Sequence, residues 1–208
     1  MKRVAELFSL AILLVITLNI SAQKSTSEKE YIKEVRRERK DKDKEFALAE
    51  NSPLDPKVKP GFSGLNYFKV RPEWRVTARI ERYNNPDTLR MKTTTERLPL
   101  YLVYGNATFN FKGREFSLTV YRNIGLMTKP GYEDYLFIPF RDETSGDLSY
   151  GGGRYIDARI IEGNSILVDF NRAYNPYCVY SKKYSCPIPP SENYLDIPVM
   201  AGEKDFIR

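Results

Sequence analysis

The chain has no histidine among its 208 residues and only two cysteines. Without histidine there are no imidazole zinc sites and no Ser–His or Cys–His pairs, so proton transfer near neutral pH falls to Asp, Glu, Tyr, Lys or Cys. Gly-rich phosphate loops of the nucleotide or dinucleotide type are missing as well. Beyond residue 22 no apolar run is long enough to span a bilayer, which takes roughly 20 residues. A basic stripe interleaved with stacking aromatics is also lacking, so nucleic acid is not an expected partner despite a formal net charge of +6.

The first residues carry an address. Lys2 and Arg3 precede an apolar run from Leu7 to Ile20, and Ser21-Ala22 closes it before Gln23. That order is a secretory signal peptide with cleavage expected after Ala22. The run is too short for a spanning helix, and no cysteine stands near the cut to take a lipid. The expected product is periplasmic or secreted, with no membrane span. Its 186 remaining residues make one domain, large enough to fold without a metal or disulfide framework.

Residues 23–52 read as a helix and linker, and 53–208 as a β domain. Ser27 and Glu30 form a capping-box pattern. Eight basic and seven acidic residues between Glu28 and Glu45 suit a solvated helix. Ile32, Val35, Phe46 and Ala49 give it a thin apolar edge, interrupted by Arg39 and Lys42, so it is expected to add little to the core. Asn51-Ser52-Pro53 stops it.

From Pro60 the period becomes two. Trp74, Val76, Ala78 and Ile80 alternate with polar neighbours. Further strands are expected around 98–103, 135–140, 154–161 and 166–170, with a hairpin from Ala107 to Val120 across Lys112-Gly113. The expected fold class is mainly β, an antiparallel barrel or sandwich with an N-terminal helix and a long C-terminal loop segment. Prolines 176, 187, 189, 190 and 198 mark that segment, which is either functional or a structural belt.

Polar residues gather on two loops. Asp142, Tyr150, Arg154 and Tyr155 flank Gly151-Gly152-Gly153, where a ligand could approach the backbone and Arg154 could grip a carboxylate or phosphate. An Asp142–Arg154 pair that merely ties the loop shut is the competing reading. Asp169, Asn171, Tyr174 and Asn175 form the second group. Turn chemistry explains them most simply, a polar binding site is the alternative, and the spacing lacks the pattern of a calcium hand. If both loops face water, they hold a small polar or anionic ligand between them. A histidine-free hydrolase or lyase using Asp, Arg and Tyr, and a scaffold with no pocket, also remain open. No metal or cofactor is expected, and the sequence sets no oligomeric state. Cys178 and Cys186, eight positions apart in an exported chain, read first as a disulfide, with buried free thiols or a reactive thiolate as the other readings.

The blocks Pro139-Phe140-Arg141-Asp142-Glu143-Thr144-Ser145-Gly146, Tyr150-Gly151-Gly152-Gly153-Arg154-Tyr155 and Asp169-Phe170-Asn171-Arg172-Ala173-Tyr174-Asn175-Pro176-Tyr177-Cys178 resemble the signature of the bacterial and archaeal domain of unknown function numbered 1684. The likeness continues through Cys186-Pro187-Ile188-Pro189-Pro190, Glu192-Asn193 and Ala201-Gly202-Glu203-Lys204. It implies one domain with a leading helix, with both cysteines and both polar loops inside the defining pattern. It implies no activity.

Overall fold

The computed structural model describes residues 26–206; the expected signal peptide lies outside the described residues. A helix, α1, occupies 26–48. Eight strands follow: β1 (Arg75–Arg82), β2 (Thr88–Arg90), β3 (Leu100–Phe111), β4 (Arg114–Asn123), β5 (Tyr135–Asp142), β6 (Arg154–Arg159), β7 (Ser165–Asp169) and β8 (Tyr194–Leu195). They form one sheet in the order β6-β5-β4-β3-β1-β7, antiparallel along that path, with β2 added on β3 and β8 parallel to β5. The sheet curls until β6 and β7, consecutive in the chain but at opposite ends of the sheet, lie side by side without a ladder. The result is a half-barrel rather than a sandwich.

Period-two alternation places the core. Ala78 and Ile80 of β1, Ala107 and Phe109 of β3, Leu118 and Val120 of β4, Leu136 and Ile138 of β5 and Ile156 of β6 all point into the curl and are almost wholly buried. Trp74 closes one end by stacking on Phe111 with ring centroids 4.1 Å apart. The expected hairpin is present: Phe111 pairs with Arg114 across Lys112 and Gly113, both at positive φ, the backbone that matches the twist of the two strands. The two strands expected around 98–111 are one long strand with a register shift between Val103 and Gly105. A Cβ at Gly105 would strike the carbonyl oxygen of Glu81, so glycine lets β1 close on β3 there.

The outer face of β5 and β6 is not wet as simple alternation would have it. Tyr135 and Phe137 of β5, and Tyr155 of β6, join Tyr101, Tyr121 and Met91 in a second, aromatic cluster. The C-terminal segment runs across this side as a belt of three short 3-10 turns and β8. Asn193 anchors the belt: its wholly buried side chain bonds the Thr119 backbone in both directions and donates to the Pro139 carbonyl at 2.7 Å.

The helix corrects the expectation of a loosely attached element. Ser27 lies inside α1, which already runs at residue 26. Tyr31, Val35 and Phe46 are buried on the domain side. Arg39 and Lys42, which break the apolar stripe, face inward between them. Arg39 donates to the carbonyls of Phe68 at 2.7 Å and Asn171 at 2.9 Å, and Lys42 pairs with buried Glu203 at 2.7 Å. Glu34 and Glu38 hold Arg172 at 2.9 and 2.8 Å. Among the described residues no helix is long and apolar enough to cross a membrane.

Candidate functional site

Asp142 ends β5 and Arg154 begins β6, and the antiparallel register sets Phe140 opposite Arg154. The intervening loop returns by a turn in which the Gly153 amide donates to the Tyr150 carbonyl. Gly153 sits at φ +91, and a Cβ there would lie 2.5 Å from the Phe140 carbonyl and 2.8 Å from Pro189. Gly153 therefore lets the loop pack against β5 and the belt. Arg154 is wholly buried. Its Nη2 meets Asp142 at 2.8 Å and the Val199 carbonyl at 3.0 Å, while Nη1 donates to the carbonyls of Ala201 and Glu203. The other Asp142 oxygen accepts the amides of Thr144 at 2.8 Å and Val199 at 3.1 Å. Burial pulls the Arg154 pKa down while Asp142 pushes it up. The pair is a sealed clamp between the loop and segment 199–203, the tied-shut arrangement rather than the expected grip on an anion.

The second loop is also bonded inward. Asp169 accepts Tyr31 at 2.7 Å, the Asn171 amide at 3.0 Å and Arg172. Asn171 bonds the Arg71 backbone in both directions, at 2.9 and 2.8 Å. The Asn175 amide donates to buried Glu203 at 2.8 Å, and its side chain to the Lys204 carbonyl at 2.7 Å. Segment 199–204 bonds to both loops. Five of the eight expected ligand residues, Asp142, Arg154, Asp169, Asn171 and Asn175, thus bond protein partners, with only Nε of Arg154 and Oδ1 of Asn175 buried without one among the described residues.

Cys178 and Cys186 are not bonded to each other covalently, which corrects the expected disulfide. Cys186 Sγ instead accepts the Cys178 amide at 3.2 Å, in the 3-10 turn Tyr177–Val179. A hydrogen bond from Cys186, helped by Thr94 and Tyr150 against the opposing effect of burial, lowers Cys178 to about 6, and the same bond pushes Cys186 up. This contact engages Tyr150, whose half-buried ring packs beside the Val179–Tyr180 cluster.

The two remaining residues, Tyr155 and Tyr174, do reach open space. Their backbones bridge in antiparallel fashion, each amide donating to the other's carbonyl at 2.9 and 3.0 Å. Their rings meet edge to face with centroids 5.7 Å apart. Both line a cleft of about 490 Å³ on the outer face of β5 and β6, with Tyr101, Tyr132, Tyr135, Tyr177 and Tyr184 around them and Lys42, Cys186 and Pro187 at the side. One carboxylate enters it. Asp157, opposite Phe137 in the sheet, accepts hydroxyl protons from Tyr135 at 2.8 Å and Tyr174 at 2.7 Å on the same oxygen. Burial above all, then Asp157 itself, raises the pKa of both hydroxyls, so they remain donors. The Tyr155 hydroxyl donates to the Pro187 carbonyl, and burial raises its pKa too. Asp157 and Tyr135 were not expected as site residues. The available signal was that alternate positions of β5 and β6, nominally solvent-facing, carry Tyr135, Phe137, Tyr155 and then a single carboxylate. Among the described residues no group of three or more Cys, Asp or Glu side chains could hold a metal ion.

The family described as "Protein of unknown function (DUF1684)" matches residues 60–204. The chain belongs to this family. The match takes in all eight strands, the Asp142–Arg154 clamp, the tyrosine cleft and both cysteines, and leaves out α1. Among solved structures, the chain is similar to an uncharacterised protein of Haloarcula marismortui determined by solution NMR. The two are 33% identical, with 86% of this chain and 96% of that one covered, at a TM-score of 0.65. No curated protein matches.

Proposed function

We propose that this member of the family is an exported binding module of the cell envelope, holding a small polar ligand in the tyrosine cleft rather than between the two polar loops. The observation that carries the reading is the Asp157 carboxylate. Two tyrosine hydroxyls fix one of its oxygens in an open, aromatic-walled cleft. A few polar groups converging in an apolar hollow is the usual constitution of a small-molecule site. The fixed carboxylate orients a ligand, while the rings supply contact area at little cost in side-chain entropy.

Export is supported by the Lys2–Ala22 pattern. Intact mass of the envelope fraction should give a chain beginning at Gln23, and a chain retaining Met1 would contradict it. The binding half is tested by a thermal-shift screen of polar metabolites against wild type and Asp157→Asn. Hits are expected with wild type and lost in the variant, whose own melting point should shift little because Asp157 is exposed. Hits equal in both proteins would remove the cleft from consideration.

A further inference from the structure

Resting on the reading of the cleft as a binding site, the arrangement of charge around it specifies the ligand's class. Only two lining residues are charged, Lys42 and Asp157. Lys42 is neutralised by Glu203 at 2.7 Å. Arg159, two positions from Asp157 on the same face of β6, is held by Asp134 at 2.6 Å. Asp157 forms no salt bridge among the described residues. The two hydroxyls orient it without cancelling its charge, and they meet the same oxygen, Oδ1. Oδ2 has no hydrogen bond among the described residues, which leaves this cleft-lining carboxylate an oxygen to offer a ligand.

The rings point the same way. Three cations of the chain lie over cleft rings: Lys42 is 5.0 Å from the centroid of Tyr174, Lys183 is 5.0 Å from that of Tyr184, and the Arg159 guanidinium is 5.9 Å from that of Tyr135. Those separations fall in the range of about 6 Å over which a ring quadrupole attracts a cation. An anion would meet the opposite conditions. The hydroxyl protons of Tyr135, Tyr155 and Tyr174 are already given to Asp157 and to the Pro187 carbonyl, so these three donors are not turned to it.

We propose that the cleft accepts a small organic ammonium ion, its positive head set against Asp157 and the tyrosine faces. Isothermal titration of the full chain with methylammonium, tetramethylammonium, acetate and glucose tests this. The two ammonium probes should bind saturably, more weakly as salt is added, and acetate and glucose should not. Asp157→Asn should weaken ammonium binding at least about tenfold. Circular dichroism of Asp157→Asn controls for folding. Asp157-dependent binding of acetate or glucose without ammonium binding would overturn the cation assignment and leave the cleft reading standing. Absence of binding by all four would overturn both.

Discussion

Arg154 is the residue on which the two halves of the polar signature meet. With its guanidinium removed, Asp142 and three backbone carbonyls of segment 199–203 lose a charged partner inside a dry environment. Arg154→Ala should therefore cost about 3–5 kcal/mol in urea melts, the loss that follows breaking one side of a buried pair. A loss below about 1 kcal/mol, the worth of an exposed pair, would mean that the clamp is open to water. The cysteine pair makes a prediction that depends on pH. Because Cys178 is lowered to about 6, its thiolate is already populated well below the ordinary thiol range. Alkylation of the native protein should label one thiol with a rate that rises through about pH 6, and the second only after denaturation. A single titration near 8.5, the ordinary thiol value, would contradict the lowered Cys178. At this scale the sequence was legible where chemistry is local. The competing Asp142–Arg154 tie and the turn chemistry at Asp169 could both be read from types and spacing. Asp157 could not be, because one carboxylate on a strand face reads as solvated until the belt is seen to pass over that face.

Among the elements, α1 departs furthest from its sequence pattern. A charge-rich segment with a broken apolar stripe reads as a surface helix because periodicity counts apolar side chains alone. Here Arg39 and Lys42 sit on the buried stripe and satisfy two carbonyls and a buried carboxylate, so the interruptions are themselves the attachment. A chain beginning at Asn51 would leave Glu203 without Lys42, Asp169 without Tyr31 and the Phe68 carbonyl without Arg39. It should lose several kcal/mol, since charge-assisted bonds of this kind are worth about 1.5–3 kcal/mol each, and be largely unfolded by circular dichroism. Recovery of a soluble truncation melting within a few degrees of the full chain would show that the helix is dispensable. The strands and the Lys112-Gly113 hairpin were readable because alternation and turn chemistry are local. The path of the belt was not, because prolines say where regular structure stops without saying what the chain then packs against.

For the molecule as a whole, a curled sheet with one core would be an ordinary half-barrel if its outer face were wet. Instead β5 and β6 carry a second aromatic layer, and the belt covers it incompletely, leaving the tyrosine cleft. Asp142, Arg154 and Asn175 close the scaffold by bonding segment 199–204, while Asn171 holds the Arg71 backbone. Tyr155 directly follows Arg154 and its backbone bridges Tyr174 in the cleft wall, so the clamp and the cleft share one stretch of backbone. The most direct test of this division is backbone amide chemical-shift mapping in the full chain, with the tightest-binding ammonium probe added to saturation. The account predicts perturbations confined to Tyr135–Phe137, Tyr155–Arg159 and the Tyr174–Pro187 stretch around the cleft. Perturbations centred on Asp142–Gly153 and Asp169–Asn171, with the cleft residues silent, would return function to the polar loops and contradict it.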